Sequence, residues 1–244
     1  MIQKNINDYV NSLNDTYKNA SLTEILTFLD TSFKANVILA SSLGLEDQLL
    51  THEWLGINSS ARIFVLDTGR LNEETYNVME ETMQTYSFKY EILHPNEDEI
   101  QNLLSSKGSF SFYDSIENRK ECCDIRKTKP LQNILKTVDA WITGLRKQQS
   151  ITRTNLNLFE FDETHNIIKI NPLLNWDFDS VFNEVKMKKI PYNVLHDKGY
   201  PSIGCDPCTR AIKSGEDLRA GRWWWESADQ KECGIHISEK NIKS

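Results

Sequence analysis

The sequence predicts an α/β protein built on a mainly parallel sheet flanked by helices. Three observations carry that expectation. Short apolar runs, "NVILAS", "ARIFVLDTG", "FKYEILHP" and "DAWITG", suit buried strands and recur along the first two thirds of the chain. Amphipathic helical stretches alternate with them, the arrangement that joins parallel strands by crossovers. The chain has 244 residues, 39% of them hydrophobic and 26% charged, enough for one large α/β domain of ordinary soluble composition.

Taken in order, "SLTEILTFLDTSFKA" predicts a helix. Ser21 and Glu24 stand at capping-box spacing, and Leu22, Ile25, Leu26, Leu29 and Phe33 fall on one face. The strand "NVILAS" breaks into "SLGLEDQLLTHEWL", and "ARIFVLDTG" is followed by the helix "NEETYNVMEETMQTYS". A third strand, "FKYEILHP", leads to a shorter helix from about Asn96 to Leu104, and a fourth runs into the basic loop "GLRKQQS". After Arg153, "LNLFEFDETHNIIKINPLL" reads as two short strands joined by a polar turn, an antiparallel edge hairpin. The helix "WDFDSVFNEVKMKKI" is stopped by Pro191, and from "PYNVLHDKGYPSIGCDPC" onward Gly and Pro make the chain loop-rich. We expect one domain over residues 1–225, including any metal site, and a mobile C-terminal tail over 226–244.

A net charge of −7 argues against nucleic-acid or anionic-membrane partners. No apolar run is long enough to span a bilayer, and the first twenty residues lack a signal-peptide core, so a cytoplasmic location is expected. In that compartment five cysteines read as metal ligands or redox groups rather than disulfides. The sequence does not give the oligomeric state and leaves a homo-oligomer open.

Ligands of open α/β sheets bind beyond the carboxyl ends of the strands. Three turns qualify. "SSLGLED" offers Ser41, Ser42, Gly44 and Asp47 ahead of a helix N-terminus suited to an anion. "LDTGR" offers Asp67, Thr68 and Gly69, and "GLRKQQ" offers Arg146. Separately, Cys122 and Cys123 are adjacent, while Cys205 and Cys208 form a Cys-x-x-Cys clamp. Four thiolates suit either tetrahedral zinc or a four-iron cluster. Adjacent side chains diverge, which suits separate iron corners better than one small ion and tilts the reading towards iron–sulfur.

The combination "CCDIRKTKPL", "GYPSIGCDPCTR", "RAGRWWWE" and "KECGIH" resembles the assimilatory sulfonucleotide reductases, from about residue 36 to 236 and including "LDTGRL" and "GLRKQQS". The paired cysteines place the resemblance on the branch acting on adenosine 5′-phosphosulfate (APS). It implies an adenine-nucleotide α-hydrolase-like fold related to ATP pyrophosphatases, and reduction of the sulfonucleotide to sulfite and AMP with electrons from thioredoxin. It further implies that Cys122, Cys123, Cys205 and Cys208 hold a [4Fe–4S] cluster, that Cys233 is the nucleophile, and that Lys127, Arg219, Arg222 and His236 surround the phosphosulfate. In the first loop, "SSLGLEDQ" has Leu43 and Leu45 where many relatives carry a smaller residue before the Glu-Asp pair.

That role explains a cysteine eleven residues from the end of the chain. Cys233 must meet a nucleotide and then a second protein, which a mobile tail permits and Gly234 eases. Arg219 and Arg222, three apart, share a face if their stretch is helical, and the indoles of Trp223 to Trp225 read as packing. Three rival functions remain: a reductase of 3′-phosphoadenosine 5′-phosphosulfate (PAPS) or of both nucleotides, a sulfur-inserting tRNA enzyme, and a zinc-containing nucleotide-binding module. The tRNA enzyme calls for a complete Gly-rich pyrophosphate loop and a basic surface, and this chain has neither.

Overall fold

A computed structural model of the chain describes residues 2–149 and 156–227. Cys233, Gly234, His236 and nearly all of the expected tail lie outside the described residues. In chain order the elements are α1 (Ile2–Tyr17), α2 (Leu22–Phe33), β1 (Val37–Ser41), α3 (Leu45–Ile57), β2 (Arg62–Leu66), α4 (Glu73–Tyr86), β3 (Glu91–Leu93), α5 (Glu97–Lys107), α6 (Ile116–Cys123), α7 (Lys129–Leu135), β4 (Ala140–Ile142), β5 (Phe159–Asp162), β6 (Ile167–Ile170) and α8 (Phe178–Met187). The strands form one six-stranded sheet in the order β3-β2-β1-β4-β6-β5. β1 pairs in parallel with β2 and β4, β4 pairs in parallel with β6, and only β5 is shown antiparallel, as the outer arm of the expected hairpin.

The chain divides into two compact units. The first comprises residues 1–65, 77–91 and 135–193. Its core is the apolar content of the predicted strands, Ile38, Leu39, Phe64, Trp141, Ile142, Phe159 and Ile170, covered by Leu26 and Leu29 of α2 and Leu49 and Leu50 of α3. Ser21 forms the capping box with Glu24 that its spacing predicts. The α1 side chain of Asn14 exchanges two hydrogen bonds with the backbone of Phe159, donating to its oxygen at 2.8 Å and accepting from its nitrogen at 2.9 Å. An amide thus takes the place of a neighbouring strand on the sheet edge, which would otherwise present unpaired backbone groups.

The second unit comprises residues 66–76, 92–134 and 194–244. Its small core consists of Leu103, Phe112, Ile125 and Trp223 packed with Cys122, Cys123, Cys205 and Cys208. Helix α6 does not stop at the cysteine pair: it runs through a π-helical turn, Asp124–Thr128, into α7. Pro130, which has no N–H to give the helical ladder, follows two residues later.

Candidate functional site

The loop after β1 belongs to the first unit. Leu43 stands at φ 61°, a left-handed conformation unfavourable for a leucine, and its side chain is buried. The turn aims Ser42 back at Asp47, whose Oδ2 accepts from the Ser42 nitrogen at 2.7 Å and from its hydroxyl at 2.6 Å. Burial pushes the Asp47 carboxyl up to about 6, against the opposing hydrogen bonds from Ser42. Arg146, buried after β4, donates from Nε to Glu46 at 2.7 Å, and Gln149 donates to the same oxygen at 3.0 Å. Ser41, Ser42, Gly44, Asp47 and Arg146 therefore do come together at strand ends, as expected. The donors of Ser42 and the Arg146 Nε are already engaged by carboxylates.

The second unit holds the cysteines. All four are buried, none forms a disulfide, and all line one cavity together with Arg70, Phe112, Arg119, Arg126, Lys127 and Trp223. Residues 119, 122, 123 and 126 follow the i, i+3, i+4, i+7 spacing of one helical face, which gathers Arg119, the cysteine pair and Arg126 on the cavity side. Burial pushes the Cys122 thiol up, and burial followed by the proximity of Cys205 pushes Cys208 up to about 12. Burial disfavours the free thiolate at these two cysteines, and a bound metal would deprotonate its thiol ligands outright.

The "LDTGR" turn meets the same cavity. Thr68 Oγ1 lies 3.3 Å from Cys205 Sγ, Arg126 donates to the Thr68 carbonyl at 2.5 Å, and the Asp206 nitrogen donates to the Arg70 carbonyl at 2.8 Å. Asp67 accepts from the Gly69 nitrogen at 2.8 Å and the Tyr76 hydroxyl at 2.9 Å, closing a tight turn in which Gly69 has φ 68°. Burial and the Asp67 carboxylate push Tyr76 up to about 12. Arg222 lies buried beside the Cys-x-x-Cys loop, donating to Ser202 Oγ at 3.3 Å and to the Ile203 carbonyl at 3.2 Å. Gly204 makes room for it: a Cβ there would stand 2.5 Å from Arg222 Nη2.

The expected helical face for Arg219 and Arg222 is not formed. Residues 218–225 are successive turns, and the Arg222 backbone bridges to Thr209. A turn closed by the Arg222 nitrogen on the Arg219 carbonyl at 2.9 Å joins the two residues instead. Lys127, expected from the resemblance to lie near the phosphosulfate, lines the cysteine cavity; Arg70, Arg119 and Arg126 line it too and were not singled out by sequence. The helical spacing around Cys122 is the signal that marks Arg119 and Arg126. Of the three indoles read as packing, Trp223 lies in the core, Trp225 is half-buried against Tyr113 at 4.4 Å and Trp224 is exposed.

The cavity fits a sulfide-rich anionic cluster. Arg126 Nε and Trp223 Nε1 are buried without hydrogen-bond partners, two orphaned donors on side chains that border four thiols and three further cationic residues. Among the described residues, no group of three His, Cys, Asp or Glu side chains could hold a single metal ion.

Residues 36–211 match the phosphoadenosine phosphosulfate reductase domain. The chain belongs to that family. A relative from Burkholderia cepacia named adenosine 5′-phosphosulfate reductase is 49% identical over 202 residues, covering 83% of this chain and 81% of its own. The crystal structure of phosphoadenylyl-sulfate reductase from Candida auris, a phosphate complex, superposes with a TM-score of 0.72 at 27% identity, covering 84% of this chain and 97% of that one. An NH3-dependent NAD synthetase from Campylobacter jejuni, 9% identical, superposes with a TM-score of 0.51 over 78% of this chain and 77% of its own. That last likeness concerns the fold alone and bears out the adenine-nucleotide α-hydrolase-like architecture expected from the sequence.

Proposed function

We propose that this family member reduces APS to sulfite and AMP in assimilatory sulfate reduction, in the cytoplasm, with thioredoxin as electron donor. The observation that carries the reading is the set of four buried thiols around one cation-bordered cavity, in a chain 49% identical to a protein named for APS reduction. Cys122, Cys123, Cys205 and Cys208 would hold a [4Fe–4S] cluster, which would cross-link the two cysteine-bearing segments and set the local electrostatics.

The chemistry falls to Cys233. Its thiolate attacks the sulfur of the phosphosulfate, the S–O bond breaks, and the electron pair departs on AMP, leaving a Cys233 thiosulfonate. A thioredoxin thiolate then attacks Cys233 Sγ, and sulfite leaves with the pair of the broken S–S bond. The second thioredoxin thiol resolves the mixed disulfide, so two electrons pass from a dithiol to sulfur. Lys127, Arg219 and Arg222 are assigned to the negative charge that moves onto the AMP phosphate, and His236 to the Cys233 thiolate or the sulfate. Ser41, Ser42, Gly44, Asp47, Asp67, Thr68, Gly69 and Arg146 are assigned to nucleotide recognition. With Ser42 already donating to Asp47, that loop contributes shape more than free hydroxyls.

The likeness to the Candida auris enzyme keeps PAPS as a second substrate reading. Intact mass of anaerobically purified protein, mixed with APS or PAPS without reductant, tests both. An added SO3 on Cys233 with APS, released as sulfite by thioredoxin, is expected. No adduct from either nucleotide on iron-loaded protein would overturn the mechanism.

A further inference from the structure

We infer that the ion pair between Arg210 and Glu216 is a positioning device for Arg219, an inference that rests on the phosphosulfate role proposed for that arginine. Residues 210–222 form a closed loop of the second unit. Its ends meet where Thr209 bridges to Arg222 and the Arg210 nitrogen donates to the Gly221 carbonyl at 3.0 Å. The approach leaves no room for a side chain, since a Cβ at Gly221 would stand 2.2 Å from the Arg210 carbonyl oxygen. The Arg210 guanidinium then reaches across the loop and grips Glu216 as a fork, Nη1 to Oε2 at 2.9 Å and Nη2 to Oε1 at 3.0 Å. Arg210 therefore holds the chain on both sides of residues 217–220, at Glu216 before them and at Gly221 after them, and Arg219 lies within that span.

Glu216 is tied to the loop by its backbone as well. Its Oε2 also accepts from the Lys213 nitrogen at 2.8 Å, and its own nitrogen donates to the Lys213 carbonyl at 3.1 Å. The hydrogen bonds from Arg210 and from the Lys213 nitrogen hold its carboxyl down at about 2, so the fork stays ionised near neutral pH. Between the two anchors the chain turns on Asp217, whose Oδ1 accepts from the Arg219 nitrogen at 2.8 Å and whose carbonyl accepts from the Ala220 nitrogen at 2.9 Å. Those turns set the local shape of the span and survive loss of the fork. The fork sets where that shape sits relative to Arg210. Without it, the next described backbone tie to another segment on that side is the Ile212 nitrogen on the Gly199 carbonyl at 2.9 Å, so the span between anchors grows from four residues to eight. The two side chains are 35% and 31% exposed, and an ion pair so open to water adds little stability. What a two-point fork supplies is direction, and the rate depends steeply on where a charge-stabilising donor stands. Arg210 and Glu216 are positioning residues and touch no reacting atom in this account.

The test is a double-mutant cycle on the full-length, iron-loaded protein. Arg210→Lys keeps the charge but not the fork, and Glu216→Gln keeps an oxygen for the Lys213 nitrogen but loses the carboxylate. These are compared with wild type, Arg219→Ala and Arg210→Lys/Arg219→Ala. Iron content, APS dissociation constant and the single-turnover rate of SO3 transfer from APS to the protein are measured on each. Arg219→Ala is expected to slow transfer about 100-fold, and each fork variant about tenfold with iron content unchanged. In the Arg219→Ala background, Arg210→Lys should add less than about twofold, because no guanidinium is left to place. A tenfold loss that persists in that background overturns the inference, as does a wild-type rate in both fork variants. Loss of iron in proportion to rate also overturns it, because the pair would then be a support of the thiol cavity. If Arg219→Ala transfers SO3 and binds APS as wild type does, the phosphosulfate role of Arg219 is refuted and the inference falls with it, a failure told apart by that single variant. If wild type forms no adduct, the covalent mechanism fails separately, and the same cycle is decided on APS affinity.

Discussion

Replacing Gly144 by alanine isolates the geometry of the loop that follows β4. A Cβ at Gly144 would stand 2.3 Å from Asp47 Oδ1, 2.8 Å from Glu46 Cβ and 3.3 Å from Asp47 Cγ. The first two distances are well inside van der Waals contact, and neither neighbour can yield cheaply. Asp47 is buried and holds both Ser42 donors, while Glu46 holds Arg146 at 2.7 Å. Overpacking of this kind costs about 2–3 kcal/mol. For a chain of this size that corresponds to an apparent melting temperature lower by about 4–12 °C. Anaerobic far-UV circular-dichroism melts of wild type and Gly144→Ala at one scan rate measure it. The cause is checked by a cycle with Asp47→Ala: removing the carboxylate relieves the closest contact, so Gly144→Ala should cost at least about 1 kcal/mol less in that background. An unchanged melting temperature, or an equal cost in both backgrounds, would show that the loop adjusts freely and that the close approach of Gly144 to Asp47 is not a constraint.

Asp47 also predicts a pH dependence. Its carboxyl is raised from 3.8 to about 6, so the folded protein binds a proton the unfolded chain has lost, and stability falls as pH rises through that window, by roughly 3 kcal/mol for the roughly two-unit shift. Asp47→Asn removes this slope: the melting-temperature advantage of the variant should be about 3–6 °C greater at pH 7.5 than at pH 5, and a gap that does not change with pH would refute the argument. Thr68→Val keeps the shape of the side chain but loses the hydroxyl 3.3 Å from Cys205 Sγ. About 1 kcal/mol of lost interaction should speed iron loss to a chelator roughly fivefold, and an unchanged release rate contradicts it. Cys208→Ser should lose iron and sulfite production together, and full turnover by an iron-free variant would remove the four thiols from the mechanism.

Local signals were legible where local forces decide the structure. Ser21 and Glu24 cap α2 as their spacing requires, and the apolar runs around Leu39, Phe64 and Trp141 became buried strands. The paired runs around Phe159 and Ile168 became a hairpin with its outer strand at the edge. What stayed hidden depends on partners distant in sequence. Thr68 and Cys205 are 137 residues apart, and no property of "LDTGR" names "IGCDPC" as its neighbour. Arg119 and Arg126 carried a readable signal in their helical spacing from Cys122. Their charges looked like ordinary solvated surface until burial showed otherwise. The helix supposed for Arg219 and Arg222 lost to tertiary contacts: the Arg222 backbone pairs with Thr209 instead of continuing a helical ladder. The π turn at Asp124–Thr128 adds a residue to a turn two positions before Pro130, whose missing N–H disturbs the helical ladder there without saying which way the chain adjusts.

The second unit is assembled from three separated pieces of chain, and this bears on how the protein is made. Cys122 and Cys123 leave the ribosome with their half of the cavity, but Cys208 is polymerised 85 residues later. At about 5–20 residues per second that is a wait of about 4–17 s. During it Ile125 and Phe112 have no Trp223 to pack against. A product truncated before Cys205 would carry two of the four thiols that line the finished cavity. Closure of the cavity thereby waits for chains synthesised nearly to their end, a constraint written into the order of the residues.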